Sequence, residues 1–222
     1  MSLLTRRTAL FAAAAAMFAA ASAGAASAGA ASAGAASAGA ADARLSQPLE
    51  DLYAALAAAM RAGNRTPFAQ RFDALAPVVD RVFDLETVLK VSVGLRWDTM
   101  DATKQARLLK VYRRFTVATY VANFNRYDGE RFVILPGIRD SGTDRIVPTE
   151  IVTGGDHLRL DYVMREGGGV WRAVDVLLEG SISRVAVQRS DFRKILGSGD
   201  TDALIASLRR KIADLSDGAL SS

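Results

Sequence analysis

Two hydrophobic periods divide the chain. Leu49, Leu52, Tyr53 and Leu56 recur on one helical face and predict a helix over 46–62, ended by Gly63-Asn64. Thr66 as cap and Pro67 in the first turn restart the chain, and Phe68, Phe72, Leu75 and Val79 make a second stripe interrupted by Pro77. Asp84 caps a third run through Leu85, Val88, Leu89 and Ser92. A longer helix is expected from about Asp101 to Asn125, with Leu108, Val111, Tyr112, Phe115, Thr119 and Ala122 on its apolar face.

After Asp128-Gly129 the period falls from 3.6 to 2. The stretch RFVILPGI predicts a strand ended by Pro136. RIVPTEIV, broken by Pro148, predicts an edge strand. HLRLDYVMRE sets Leu158, Leu160, Tyr162 and Met164 against Arg159, Asp161 and Arg165. Gly167 to Gly169 turn into VWRAVDVLL, where Val170, Val174, Val176 and Leu178 share one side and Asp175 the other. SISRVAVQ reads as a further strand, Ser190 or Asp191 opens a helix, and a last helix follows Gly199-Asp200. The order is α+β: N-terminal helices, a curved antiparallel sheet of about four or five strands, then C-terminal helices. The central strands are apolar on one whole face and partly on the other, so something covers both sides, either helices alone or helices with an apolar ligand.

The first 41 residues carry neither period. Arg6-Arg7, an apolar run over 8–21 and repeated Ala-Ser-Ala sites are the build of a secretory signal peptide over 1–23, with cleavage as late as 41. The TRRTAL stretch partly resembles a twin-arginine signal, but Ala9 stands where a bulky apolar residue is usual. ASAGA repeats over 21–40 predict a disordered leader at 24–44, and they also read as plain low complexity. The domain is then 45–215, with a flexible tail at 216–222. Export implies the periplasm. Without Arg6 and Arg7 the formal charge falls from +4 to +2, with no basic block, which argues against a nucleic-acid binder. There is no cysteine and a single histidine, His157, so a disulfide is excluded and a metal site nearly so.

Candidate chemistry is sparse. Asp156-His157 are neighbours on a strand and point to opposite faces, so the pair reads as solvated. Asp161 and Asp175 could face each other across a hairpin, yet Arg159, Arg165 and Arg172 make surface charge pairs the simpler reading. GSISR lacks the second glycine of a nucleophile elbow, and the triple glycine joins two strands rather than a strand and a helix.

VWRAVDVLLEGSISRVAVQRSDFRKIL, followed by Gly-Asp and LIASLRRKI, resembles the C-terminal half of the MlaC-type (toluene-tolerance) periplasmic lipid-binding proteins. Trp171, Asp175, Val176, Glu179, Gly180, Ser183, Arg189, Ser190, Phe192 and Ile195 carry the resemblance. The LLKVYRRFTVATYVANF helix is similar to that family's middle segment. Gln188 departs from the family, which usually has a tyrosine there, and this variant resembles its hopanoid-associated HpnM branch.

The resemblance implies an NTF2-like cone with an apolar pocket, no enzymatic activity, no catalytic residue, no metal and no cofactor. It implies a monomer that carries phospholipid or hopanoid between membrane complexes and serves outer-membrane lipid homeostasis. The implied partners are an inner-membrane transporter of MCE or RND type and an outer-membrane lipoprotein complex, with no nucleic acid. The expected lipid-binding residues are Phe68, Phe72, Val79, Leu89, Leu108, Tyr112 and Phe115 on the helices, with Leu158, Leu160, Tyr162, Met164, Val174, Val176 and Leu178 on the sheet. Arg159, Arg165 and Arg172 would stand at the rim. Two other classes stay open: a small NTF2-like enzyme with Asp161 or Asp175 as buried base, and a lipid-free adaptor of an envelope transporter.

Overall fold

Residues 33–198 and 200–220 are described by a computed structural model. The signal-peptide reading and most of the leader fall on residues 1–32, outside them. Helix α1 runs from Ala33 to Ala62, so it begins inside the stretch expected to be disordered. Leu49, Leu52, Tyr53 and Leu56, the predicted face, are buried together with Leu45 and Met60. Pro67, rather than Thr66, stands at the cap of α2 (Phe68–Val82), with no side-chain capping bond. That helix continues through Pro77, because the ring is exposed and water can reach the carbonyl that loses its partner.

Asp84 caps α3 (Leu85–Val93) by accepting from the Thr87 amide at 3.0 Å. Asp101 does the same for α4 (Ala102–Asn123) through Lys104 at 2.8 Å. In both, an orphan amide of the first turn is satisfied by a carboxylate that also suits the helix dipole.

The sheet has six strands: β1 (Arg131–Ile134), β2 (Arg139–Ser141), β3 (Asp144–Thr153), β4 (Asp156–Gly167), β5 (Val170–Leu178) and β6 (Ile182–Ser183). Their order is β1-β3-β4-β5-β6, with β2 also on β3, and every pairing is antiparallel. Strand β3 is therefore internal, contrary to the edge expected from Pro148. The Pro148 carbonyl accepts from the Leu135 amide at 2.8 Å, so its nitrogen points to that same side, just past the end of β1. The ladder to β4 therefore loses no bond there.

The second correction is at SISRVAVQ. Only Ile182–Ser183 are strand, and helix α5 (Arg184–Ser198) starts about two turns before the expected Ser190. Val185 and Val187 mimic a strand by composition, but two side chains cap the turn. Ser183 Oγ accepts from the Ala186 amide at 2.9 Å, and Asp175 Oδ1 from the Val185 amide at 3.0 Å. Helix α6 (Thr201–Leu215) is capped by Asp200. Beyond it the chain folds back, with Leu220 packed on the core and its carbonyl taking a 3.0 Å bond from Arg114, where a flexible tail was expected.

The register of β4 and β5 contains one irregularity. Tyr162 opposes Val176, but Met164 opposes Ala173, so Val174 is the extra residue of a β-bulge. On the far side of β5, Ala173 bridges Phe83, and its carbonyl accepts from the Asp84 amide at 3.0 Å.

Candidate functional site

A cavity of about 460 Å³ lies between the sheet and helices α1, α3, α4, α5 and α6. That volume is within the roughly 300–1,000 Å³ of small-molecule sites. Its floor is aliphatic and aromatic: Leu56, Ile151 and Leu160 beneath Tyr53, Tyr162 and Phe124, all buried. Rings pack tilted, edge to face or stacked around it, with Phe83 5.7 Å from Tyr120 and 6.3 Å from Tyr162 between centroids. The walls add Leu85 and Val88 from α3 and Phe115, Thr116 and Thr119 from α4.

The polar groups of this cavity are mostly paired within the wall. Tyr53 donates to Thr149 Oγ1 at 2.5 Å, and Thr149 donates to the Leu160 carbonyl at 2.5 Å. Gln188 bridges three helices: its amide nitrogen donates to Ser92 Oγ at 2.7 Å and to Tyr112 Oη at 3.0 Å. Burial pushes Tyr53, Tyr112, Tyr120 and Tyr162 above the ordinary phenol value, so all four stay neutral and the lining carries no phenolate. Asp175, Arg184, Asp191, Lys211 and Asp214 line the cavity, and Asp191, Lys211 and Asp214 are exposed, which puts them at its mouth.

Asp175 is fully engaged. One oxygen accepts from the Val176 amide at 2.7 Å and the Val185 amide at 3.0 Å, and the other from Ser183 Oγ. It ties β5 to the start of α5, and its anion suits that helix N-terminus. Arg184 is half-buried beside it; desolvation lowers its pKa, and Tyr120, Asp175 and Asp191 act the other way.

A model of the MlaC protein family matches residues 50–210. The chain belongs to the MlaC family. Among solved structures, a phospholipid-binding protein from Ralstonia solanacearum, in complex with a phospholipid, aligns with a TM-score of 0.65 at 18% identity. The alignment covers 78% of this chain and 97% of that one, which places both in the same α+β fold. No curated protein matches by sequence.

In this MlaC-family chain the cavity brings together Tyr112, Phe115, Leu160, Tyr162 and Val176 of the residues picked from sequence. Leu89, Leu108, Met164 and Val79 are instead fully buried in the packed core, and Leu158, Leu178 and Phe72 are buried there too. Phe68 packs on the core edge with Arg71 5.5 Å from its ring. Val176 keeps the expected facing, while Val174 is off the lining and Asp175 is on it. The bulge accounts for Val174, its extra residue, while Asp175 stays in register opposite Val163.

The arginines expected at the rim lie elsewhere as well. Arg159 pairs with Asp161 at 2.9 Å and Arg165 with Asp144 at 2.7 Å, on the face of β4 opposite Tyr162. Asp161 is fully buried between Arg139 and Arg159, so it is a structural anion and not a cavity group. His157 meets Glu150 at 3.0 Å on the exposed ladder rather than Asp156. Sequence reasoning missed Tyr53, Phe83, Val88, Tyr120 and the mouth charges. Their stripes were visible, but which face met an unfilled space was not. Among the described residues no carboxylate, histidine or cysteine group could hold a metal ion, and no helix is long and apolar enough to cross a membrane.

Proposed function

We propose that this protein is a lipid carrier that takes the apolar body of a phospholipid or hopanoid into the cavity and moves it between membrane complexes without changing it. The observation that carries the reading is the cavity itself: about 460 Å³ walled mainly by aromatic and aliphatic side chains, in a chain of the MlaC family. The phospholipid held by the Ralstonia solanacearum neighbour supports the ligand class. Each methylene taken from water contributes about 0.8 kcal/mol, so one long chain gains on the order of 10 kcal/mol in membrane and carrier alike. Transfer is then close to balance only if the carrier's lining is as dry as a bilayer.

The proposal extends to export into the periplasm, to transporter partners of the inner membrane, and to the hopanoid-associated branch. The Arg6-Arg7 start with its apolar run supports the first, and Gln188 in the wall supports the last. A general base would need a cavity carboxylate free to take a proton. Asp175 is in the cavity, but three donors already occupy it, which weighs against the enzyme reading. The test is denaturing organic extraction of detergent-free purified protein, followed by mass spectrometry. The carrier reading expects a phospholipid or hopanoid near one per chain. Protein without lipid that also takes none from vesicles would leave the adaptor reading instead.

A further inference from the structure

The charges at the cavity mouth are arranged in two pairs of opposite sign. On α5, Arg184, Gln188 and Asp191 all line the cavity, at the four- and three-residue steps that keep one helical face. Arg184 is half-buried and Asp191 exposed, so the cation is the deeper of the two. On α6, Lys211 and Asp214 line the same mouth one turn apart. Lys211 Nζ stands 5.7 Å from the centroid of Phe115, which fixes the ammonium at the apolar wall. The Asp175 carboxylate lines the cavity beside Arg184 and adds its charge there, though its oxygens are taken by β5, Ser183 and the start of α5. Asp191 meets Lys194 at 3.6 Å, with both side chains more than half exposed, a pair too weak to remove its carboxylate from the mouth.

The mouth carries two cations, Arg184 and Lys211, and two carboxylates, Asp191 and Asp214, so both signs of charge face the opening. We propose that this portal selects a zwitterionic phospholipid head, with its phosphate toward Arg184 and Lys211 and its ammonium toward Asp191 and Asp214. The proposal rests on the carrier reading and adds to it the class of head group. An anionic head with a neutral alcohol finds the same cations but faces two carboxylates with nothing to set against them. A guanidinium suits the phosphate because its planar donors meet two oxygens at once. The carboxylates are solvated, so the discrimination is modest and depends on salt.

The experiment uses lipid-stripped protein and vesicles of equal parts phosphatidylethanolamine and phosphatidylglycerol with matched acyl chains. Captured lipid is then quantified by mass spectrometry. Wild type should capture the ethanolamine lipid by about fivefold, as expected for two partly screened ion pairs. The Asp191→Asn/Asp214→Asn double variant, changed only at exposed positions, should bring the ratio close to one. Asp73→Asn, an exposed carboxylate on α2 away from the cavity, should leave it unchanged. A wild-type ratio near one, or a preference that survives in the double variant, overturns the proposal while the carrier reading stands. Capture of neither lipid overturns the carrier reading and the head-group proposal with it.

Discussion

Thr119→Trp separates the cavity's role in binding from its role in stability. Thr119 lines the cavity from α4, half-buried, and its hydroxyl only returns to the Phe115 carbonyl at 2.8 Å. An indole buries about 150–250 Å² when fully enclosed; half of that, at about 25 cal/mol per Å², is a gross gain of about 2–3 kcal/mol. Lost rotamer freedom and the lost hydroxyl bond reduce the net gain to about 1 kcal/mol, or a rise in Tm of roughly 2–4 °C for a chain of this size.

Binding moves the other way. Excluding about four methylenes from the cavity removes about 3 kcal/mol, roughly 150-fold in affinity. The assay pairs a thermal melt of the lipid-free protein with bound phospholipid per chain after vesicle exchange. A more stable variant with strongly reduced lipid is the expected result, and Thr116→Phe on the same wall should repeat it. A folded Thr119→Trp protein with a full lipid load would refute the reasoning, because the lipid would then be bound elsewhere.

Asp175→Ala should cost about 2 kcal/mol in denaturant unfolding by stripping the acceptor from β5 and the start of α5, and Asp175→Asn less, with lipid binding nearly kept in both. Gln188→Leu should destabilise by about 1–2 kcal/mol, since Ser92 and Tyr112 lose their shared partner; an unchanged melt would show that bridge to be without weight. The raised phenols of Tyr53, Tyr112, Tyr120 and Tyr162 mean that the folded chain holds these protons longer than the unfolded one. Their contribution is intact below pH about 10 and is lost as pH rises beyond it, at about 1.4 kcal/mol per tyrosine per pH unit. Tyrosinate absorbance from these four should therefore appear together with loss of circular dichroism, and its appearance in the folded protein would contradict their burial.

Much of the fold was legible because local signals agreed. Asp84, Asp101 and Asp200 marked helix starts, and the alternation of β4 placed Leu160 and Tyr162 opposite Asp161. The misreadings have a common origin in neighbours distant in sequence. Val185 and Val187 have strand composition, and their helix is secured partly by Asp175, ten residues before Val185. The bulge at Val174 accompanies the contact between Ala173 and Phe83, a partner distant in sequence. Period alone cannot separate a stripe that packs, such as Val79 and Leu108, from one that faces space, such as Phe115 and Thr119.

The central claim, that this cavity holds the lipid, is tested most directly by photocrosslinking. A phospholipid with a diazirine near the end of one acyl chain is loaded from vesicles, irradiated, and its adducts are mapped by peptide mass spectrometry. The account predicts adducts on the cavity segments of α4 and β4, around Tyr120, Leu160 and Tyr162. Adducts confined to the exposed apolar residues Val91 and Leu95, or to the Arg159 face of the sheet, would contradict it.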